Sequence, residues 1–188
     1  MDLHKKALLL EYITIAWNVF EGIVCMTLGL LAGSVSLFAY GLESGVEVFA
    51  SAVTVWGLTN KETQKVEKKA LRLIGLAYLV VSAYIFLDAL DSLVRGYHEQ
   101  KSPLGILFLI ITVIVMLVLG FLKYRVGTKI KSLVVLADAK FTLIDAALST
   151  SVLIGLVLTF LFGWWWTDEA LALFLSGAAF REGIKELL

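Results

Sequence analysis

The chain has 188 residues, of which 60% are hydrophobic and 17% charged, and its formal net charge is zero. Because soluble domains carry about 25% charged residues, this composition excludes an ordinary soluble domain and predicts an all-α membrane protein. Zero net charge argues against nucleic acid as a partner, and a single cysteine, Cys25, excludes an internal disulfide.

Six stretches are long and apolar enough to cross a bilayer, which takes about 20 residues. In chain order they are Ala7–Leu31, Ser34–Leu58, Ala70–Val94, Leu104–Leu122, Leu133–Phe162 and Trp164–Leu187. The sixth has the shortest apolar run, Ala170–Phe180. We therefore predict a six-transmembrane-helix bundle that forms one domain, residues 1–188, without a cytosolic C-terminal domain.

Basic residues predict the orientation, because segments rich in lysine and arginine stay in the cytosol. With the N-terminus inside, the cytosolic segments hold Lys5, Lys6, Lys61, Lys65, Lys68, Lys69, Arg72, Lys123, Arg125, Lys129, Lys131, Arg181 and Lys185. The outer loops hold only Arg95 and Lys101. Both termini are therefore predicted to be cytosolic, and a plasma (inner) membrane is the expected location.

Ionisable side chains inside the predicted spans are mostly acids: Glu21, Glu43, Glu47, Asp88, Asp91, Asp138, Lys140 and Asp145. Such groups are costly in a bilayer and mark functional sites. Acids without matching bases predict a cation site. They can also be protonated contacts between helices, an alternative that stays open above all for Glu21 and Asp88. Lys140 is expected to pair with Asp138 or with an acid elsewhere.

The spacing of the polar residues places them on single helix faces. These faces comprise Thr14, Asn18, Glu21 and Cys25 in the first span, Glu43 and Glu47 in the second, and Asp138, Thr142, Asp145 and Ser149 in the fifth. At a rise of about 1.5 Å per residue, Glu21, Glu43, Glu47 and Asp145 lie about 16–22 Å from the predicted cytosolic ends, near the midplane. Asp138 lies only about 8 Å deep, which indicates a position on the pathway near the cytosolic mouth.

Clustered carboxylates repel one another when ionised, and either protonation or a bound divalent cation relieves the repulsion. We therefore predict a membrane site that exchanges protons for a divalent metal cation, with metal ions, protons and membrane lipid as its partners. Two alternatives remain: a non-transporting membrane subunit with structural acids, and a metal-permeable channel. No serine or cysteine triad, phosphate loop or nucleotide motif is present, so the chain is not expected to be an enzyme or to hold a resident cofactor.

Several segments resemble the cation diffusion facilitator family. SVSLFAYGLESGVEVFAS, residues 34–51, is similar to its second helix, where an acid or histidine recurs four residues before an Asp. ADAKFTLIDAALS, residues 137–149, is similar to its fifth helix with the pattern A-D-A-x-H-x-x-x-D. Gly163–Leu173 and Arg181–Leu187 match the sixth helix, and WNVFEG in the first resembles a short branch that lacks the cytosolic domain, like the vesicular zinc transporters of that branch.

The resemblance implies a six-helix, proton-coupled transporter that exports zinc or similar divalent metals in exchange for protons. Members of the family are often homodimers, and here the homodimer would form through the membrane domain. The four positions of its central tetrahedral site correspond to Glu43, Glu47, Phe141 and Asp145. Phenylalanine cannot bind a metal, so Glu21, Asn18 or a water is the candidate fourth ligand. Because an all-oxygen site suits manganese, magnesium or iron(II) better than zinc, the identity of the metal stays open.

Overall fold

The computed structural model describes residues 2–32, 35–60, 64–96, 103–164 and 166–187 of the chain. These residues form six α-helices: α1 Leu3–Ala32, α2 Val35–Thr59, α3 Gln64–Arg95, α4 Pro103–Ile130, α5 Leu133–Phe162 and α6 Thr167–Leu187. The prediction of an all-α, six-helix protein is confirmed.

Several helices are longer than the apolar runs that predicted them. The first turns of α3 and the last turns of α4 are charged helical extensions of an apolar span. In contrast, α6 begins at Thr167 rather than at Trp164. Gly163, which follows α5, has a φ of 73°, and this left-handed conformation, favoured by glycine, ends a helix.

Four of the described helices are long and apolar enough to cross a membrane on their own: α1, α3, α4 and α5. Over their described residues, α2 and α6 do not meet this criterion. The glutamates Glu43 and Glu47 lower the mean hydropathy of α2, and charged residues near the centre of a span oppose insertion. Lys61 and Lys101, both used to predict the orientation, lie outside the described residues.

The helices pack most extensively as three pairs, α1 with α2, α3 with α6 and α4 with α5. Glycines allow two of these pairs to approach closely. A Cβ atom added at Gly41 of α2 would lie 2.7 Å from the backbone nitrogen of Met26 in α1, and one at Gly183 of α6 would lie 2.9 Å from Cβ of Tyr78 in α3. Both contacts are shorter than a Cβ atom tolerates, so these positions require glycine.

The interior of the bundle divides into an apolar and a polar part. Side chains of α3 and α6, among them Ile74, Tyr78 and Ala179, join residues of α2 and α5 in one apolar cluster. The buried polar side chains lie mainly on α1, α2, α4 and α5. Large apolar side chains such as Ile114 and Phe121 of α4 are exposed, as expected for a surface that faces lipid.

Candidate cation site

Four helices each have a polar face that is directed towards the interior of the bundle. The buried members are Glu11, Thr14, Asn18, Glu21 and Cys25 on α1, Tyr40, Glu43, Ser44, Glu47, Ser51 and Thr54 on α2, Thr112 and Lys123 on α4, and Asp138, Thr142, Asp145 and Ser149 on α5. On α1, α2 and α5 they recur mostly every three or four residues, and the two members on α4 are eleven residues, or about three turns, apart, so each set lies on one helix face. The structure thus brings every acid of the predicted site into the same polar interior.

The hydroxyl group of Tyr40 connects two of these acids. It lies 2.5 Å from Oε1 of Glu21 and 3.3 Å from Oδ2 of Asp145. We call these three residues, one each from α1, α2 and α5, the Tyr40 cluster. Because a phenol has a single proton to donate, the hydroxyl donates to one carboxylate at a time. A change of charge on either acid therefore changes which carboxylate accepts the hydrogen bond from Tyr40.

Glu47 and Glu43 of α2 extend this group of acids. The carboxylate of Asp145 interacts electrostatically with Glu47, Glu21 and Glu43. Among the described residues, none donates a hydrogen bond of good geometry to either carboxylate oxygen of Glu47. The nearby Thr142 hydroxyl accepts a hydrogen bond from Nζ of Lys123 at 3.1 Å and keeps its own proton available for Glu47. Glu47 is thus a buried carboxylate with acceptor capacity to spare.

These four side chains, Glu21, Glu43, Glu47 and Asp145, are called the central acids below. They are neighbours, but within the described parts of the chain no three His, Cys, Asp or Glu side chains converge closely enough to hold a metal ion. Direct ligation by the central acids therefore stays a prediction.

Asn18 is the other candidate for the fourth ligand, and Phe141 stands where the resembling family has a histidine ligand. Asn18 is buried, and its Nδ2 donates to the backbone oxygen of Thr14 at 3.0 Å. Its Oδ1 has no donor among the described residues and is free to accept. The ring of Phe141 packs against that of Tyr78, with 4.5 Å between the centroids, inside the apolar cluster. This side chain thus packs against α3.

A second polar cluster surrounds Lys123 of α4. Its Nζ lies 2.5 Å from Oδ2 of Asp138 and 2.9 Å from Oε2 of Glu11. It also donates to Oγ of Ser51 at 3.3 Å and to Oγ1 of Thr142 at 3.1 Å. All three charged side chains are fully buried. We call these five residues the Lys123 cluster; Asp138 is therefore an ion-paired residue rather than an open carboxylate at the mouth.

Two expectations about lysines are corrected by this arrangement. Lys123, counted with the basic residues of a cytosolic segment, lies within α4, and its ammonium is fully buried beside two acids. Lys140 does not pair with Asp138, since residues two apart on a helix point to opposite sides. It lies 3.9 Å from Glu182 and 3.7 Å from Glu186 of α6, so the alternative of an acid elsewhere is confirmed.

Sequence reasoning missed four residues of the two clusters, Glu11, Tyr40, Ser51 and Lys123. Glu11 lies three residues before Thr14 and prolongs the polar face of α1 by one turn. Tyr40 lies seven residues before Glu47, on the same face of α2, and this spacing is a usable signal. Lys123 directly follows an apolar run, a position typical of a loop, and only its partners on other helices distinguish it from one.

Comparison with known proteins agrees with the observed fold. The family described as the cation efflux transmembrane domain matches residues 12–188. The chain is 28% identical over 158 residues to the magnetosome protein MamB of Magnetospirillum gryphiswaldense, which covers 76% of this chain and 53% of that protein. It is 26% identical to an uncharacterized transporter of Synechocystis, over 81% of this chain and 54% of that protein. Transmembrane protein 163 of Xenopus laevis is 25% identical over 98% of this chain and 67% of its own length.

Against the first two of these relatives the chain covers little more than half of the longer protein. What the comparisons describe is thus the membrane-spanning part.

Proposed function

Because the chain belongs to the cation efflux family of integral membrane proteins, we propose that it exports a divalent metal cation, zinc or a zinc-like metal, in exchange for protons. The family is one of transporters, in agreement with the expectation that the chain is not an enzyme. The proposal includes a homodimer formed through the membrane domain, as the family resemblance implies, in a plasma (inner) membrane.

The observation that carries this proposal is the buried group of central acids around Tyr40. Three helices contribute carboxylates to one interior region, and Tyr40 lies within hydrogen-bond distance of two of them. Buried charges of one sign require neutralisation. Protons or a divalent cation can supply it, and each excludes the other from the same oxygens. Glu43, Glu47 and Asp145 are the proposed ligands, with Glu21 or Asn18 as the fourth.

Exchange follows from this competition. A metal that enters the central acids displaces the protons that they hold, and a proton that returns on the other side displaces the metal. The Tyr40 hydroxyl can form a hydrogen bond in both the protonated and the metal-bound state of the central acids. In each state it donates to whichever carboxylate is ionised and free of metal. Apparent metal affinity should therefore rise as the pH is raised, and a flat affinity between mildly acidic and mildly alkaline pH would exclude the competition.

The decisive experiment is flux into proteoliposomes that contain a pH-sensitive dye, with Zn²⁺, Mn²⁺, Fe²⁺ and Mg²⁺ tested separately. We expect saturable metal uptake coupled to proton movement, and its loss in Glu47→Gln and in Asp145→Asn. The matched control is Asp91→Asn, which neutralises an exposed acid of α3 that lies 2.6 Å from Arg95 and should transport normally. Flux along the metal gradient without proton movement would indicate a channel instead, and no flux at all would indicate a non-transporting subunit.

A further inference from the structure

The ammonium group of Lys123 occupies an oxygen-rich position that has more acceptors than the ammonium has protons. Four groups surround it: the carboxylates of Glu11 and Asp138 and the hydroxyls of Ser51 and Thr142. An ammonium has three N–H donors. In addition, Oε1 of Glu11 and Oδ1 of Asp138 are buried and have no hydrogen-bond donor among the described residues. The position is richer in acceptors than a lysine requires.

This position is adjacent to the central acids. Glu47 interacts electrostatically with both Lys123 and Asp138, and also with Asp145. Glu11 lies in the third turn of α1, Asp138 in the second turn of α5, and Lys123 about two turns before the end of α4, so the Lys123 cluster is nearer to one end of the bundle. On α1 and α5, Glu11 and Asp138 lie closer to that end than the central acids of the same helices do, so the Lys123 cluster lies between that end and the central acids.

We propose that Glu11 and Asp138 form a second cation position, and that the ammonium of Lys123 is its built-in occupant. This inference rests on the proposed export function, because it assigns a role on the route to the central acids. A metal that moves between this end of the bundle and the central acids takes the same position and displaces the ammonium. Lys123 is thereby a specificity-determining residue: a monovalent cation cannot compete with a tethered ammonium for two carboxylates, whereas a divalent one can.

The donor set indicates the class of cation. Two carboxylates and two hydroxyls are hard oxygen ligands, which suit Mn²⁺ or Mg²⁺ better than Zn²⁺. The contrasting interpretation is a purely structural ion triad, in which the ammonium serves only to neutralise two buried acids. The two interpretations differ in what happens when the ammonium is removed.

The test is the stoichiometry of Mn²⁺ binding to the purified full chain, measured by titration calorimetry on the wild type and on Lys123→Met. Methionine keeps the length of the side chain and removes its charge. We expect the variant to bind one additional Mn²⁺ per chain. The additional ion should persist in Lys123→Met with Asp145→Asn, and it should disappear in Lys123→Met with Glu11→Gln and Asp138→Asn. A folded Lys123→Met protein with unchanged stoichiometry would overturn the inference.

The matched control is Lys140→Met, which removes an ammonium that also lies near two acids, but at the partly exposed contact of α5 with α6. It should gain no Mn²⁺. The design also separates the two proposals. If the wild type binds no metal but Lys123→Met binds one that needs Asp138, the central acids fail as a site while the second position stands.

Lys123→Met leaves two buried acids without a cation, so a charge-balanced variant protects the test against misfolding. Glu11→Gln with Lys123→Met removes one negative and one positive charge. We expect it to fold, to gain no additional ion, and to exchange Mn²⁺ at the central acids severalfold faster in stopped-flow measurements, because the ammonium no longer has to move. The corresponding pair Glu182→Gln with Lys140→Met should leave the rate unchanged. An unchanged rate in the Glu11 and Lys123 variant contradicts the proposal.

Discussion

Tyr40 shows how much a single hydroxyl group can contribute to the site. Its hydroxyl lies within hydrogen-bond distance of Glu21 in α1 and of Asp145 in α5. Through these two contacts, α2 joins α1 and α5 at the central acids. A hydrogen bond to a charged group contributes about 1.5–3 kcal/mol. Tyr40 thus contacts two buried acids that belong to different helices.

Replacing Tyr40 with Phe removes this hydroxyl and keeps the ring. We expect metal affinity at the central acids to fall by about tenfold, since about 1.4 kcal/mol corresponds to that factor, while the helical content stays the same. Titration calorimetry and circular dichroism would measure both. Tyr124→Phe, at an exposed tyrosine of α4, is the control and should bind like the wild type. Equal affinity in the two variants would show that the hydroxyl has no part in binding.

Phe141 tests whether the fifth helix carries a ligand position in the family's register. Phe141→His should raise the affinity for zinc relative to manganese, because imidazole nitrogen suits zinc. The gain should be lost when Asp145→Asn is added. Competition titrations with Zn²⁺ and Mn²⁺ measure the preference. An unchanged preference in the folded variant would mean that this side chain serves only the packing of α5 on Tyr78.

At the level of helices, the close contact of α3 with α6 depends on the absence of side chains. A Cβ atom at Gly183 would lie 2.9 Å from Cβ of Tyr78 and 3.0 Å from the backbone oxygen of Gly75. Neither atom is the flexible end of a side chain. The two helices can relieve such a contact only by moving apart.

Gly183→Ala is therefore expected to destabilise the protein by about 1–3 kcal/mol, the usual effect of overpacking, and to lower the melting temperature in detergent. Gly177→Ala is the control on the same helix, because a Cβ atom there meets nothing within 4 Å. It should be neutral or slightly stabilising, as alanine favours helix more than glycine does. Equal melting temperatures for the two variants would contradict the tight packing of α3 and α6.

Hydropathy and helical periodicity were sufficient to predict six helices and the polar faces of α1, α2 and α5. Both are properties of a single segment and of the solvent around it, and neither depends on which helices pack against that segment. The partners of Lys123 and Tyr40 were not predictable in this way, because Glu11, Asp138 and Asp145 belong to other helices and their distances depend on how the helices pack. Lys140 was ambiguous for the same reason, since its acids lie on α6.

For the whole molecule, the distribution of basic residues predicts that the end of α4 faces the cytosol and the end of α3 the outside. Both ends offer exposed positions for labelling, and the native Cys25 is buried. Lys129→Cys should react with a membrane-impermeant thiol reagent only after cells are permeabilised. Arg95→Cys should react in intact cells. The reverse pattern, or labelling of both in intact cells, would refute the predicted orientation.

The helices differ in hydropathy, and this difference affects how they are inserted into the membrane during synthesis. Over their described residues, α2 and α6 do not meet the length and hydropathy criterion for a membrane span that the other four helices meet. We expect the insertion of α2 to be assisted by α1, the helix that directly precedes it and is synthesised just before it. The partners of α6 are α5, which directly precedes it, and α3, which is synthesised three helices earlier and packs against it more extensively. We therefore expect the contact of α3 with α6, which joins helices far apart in the chain, to form only after α4 and α5 have been synthesised.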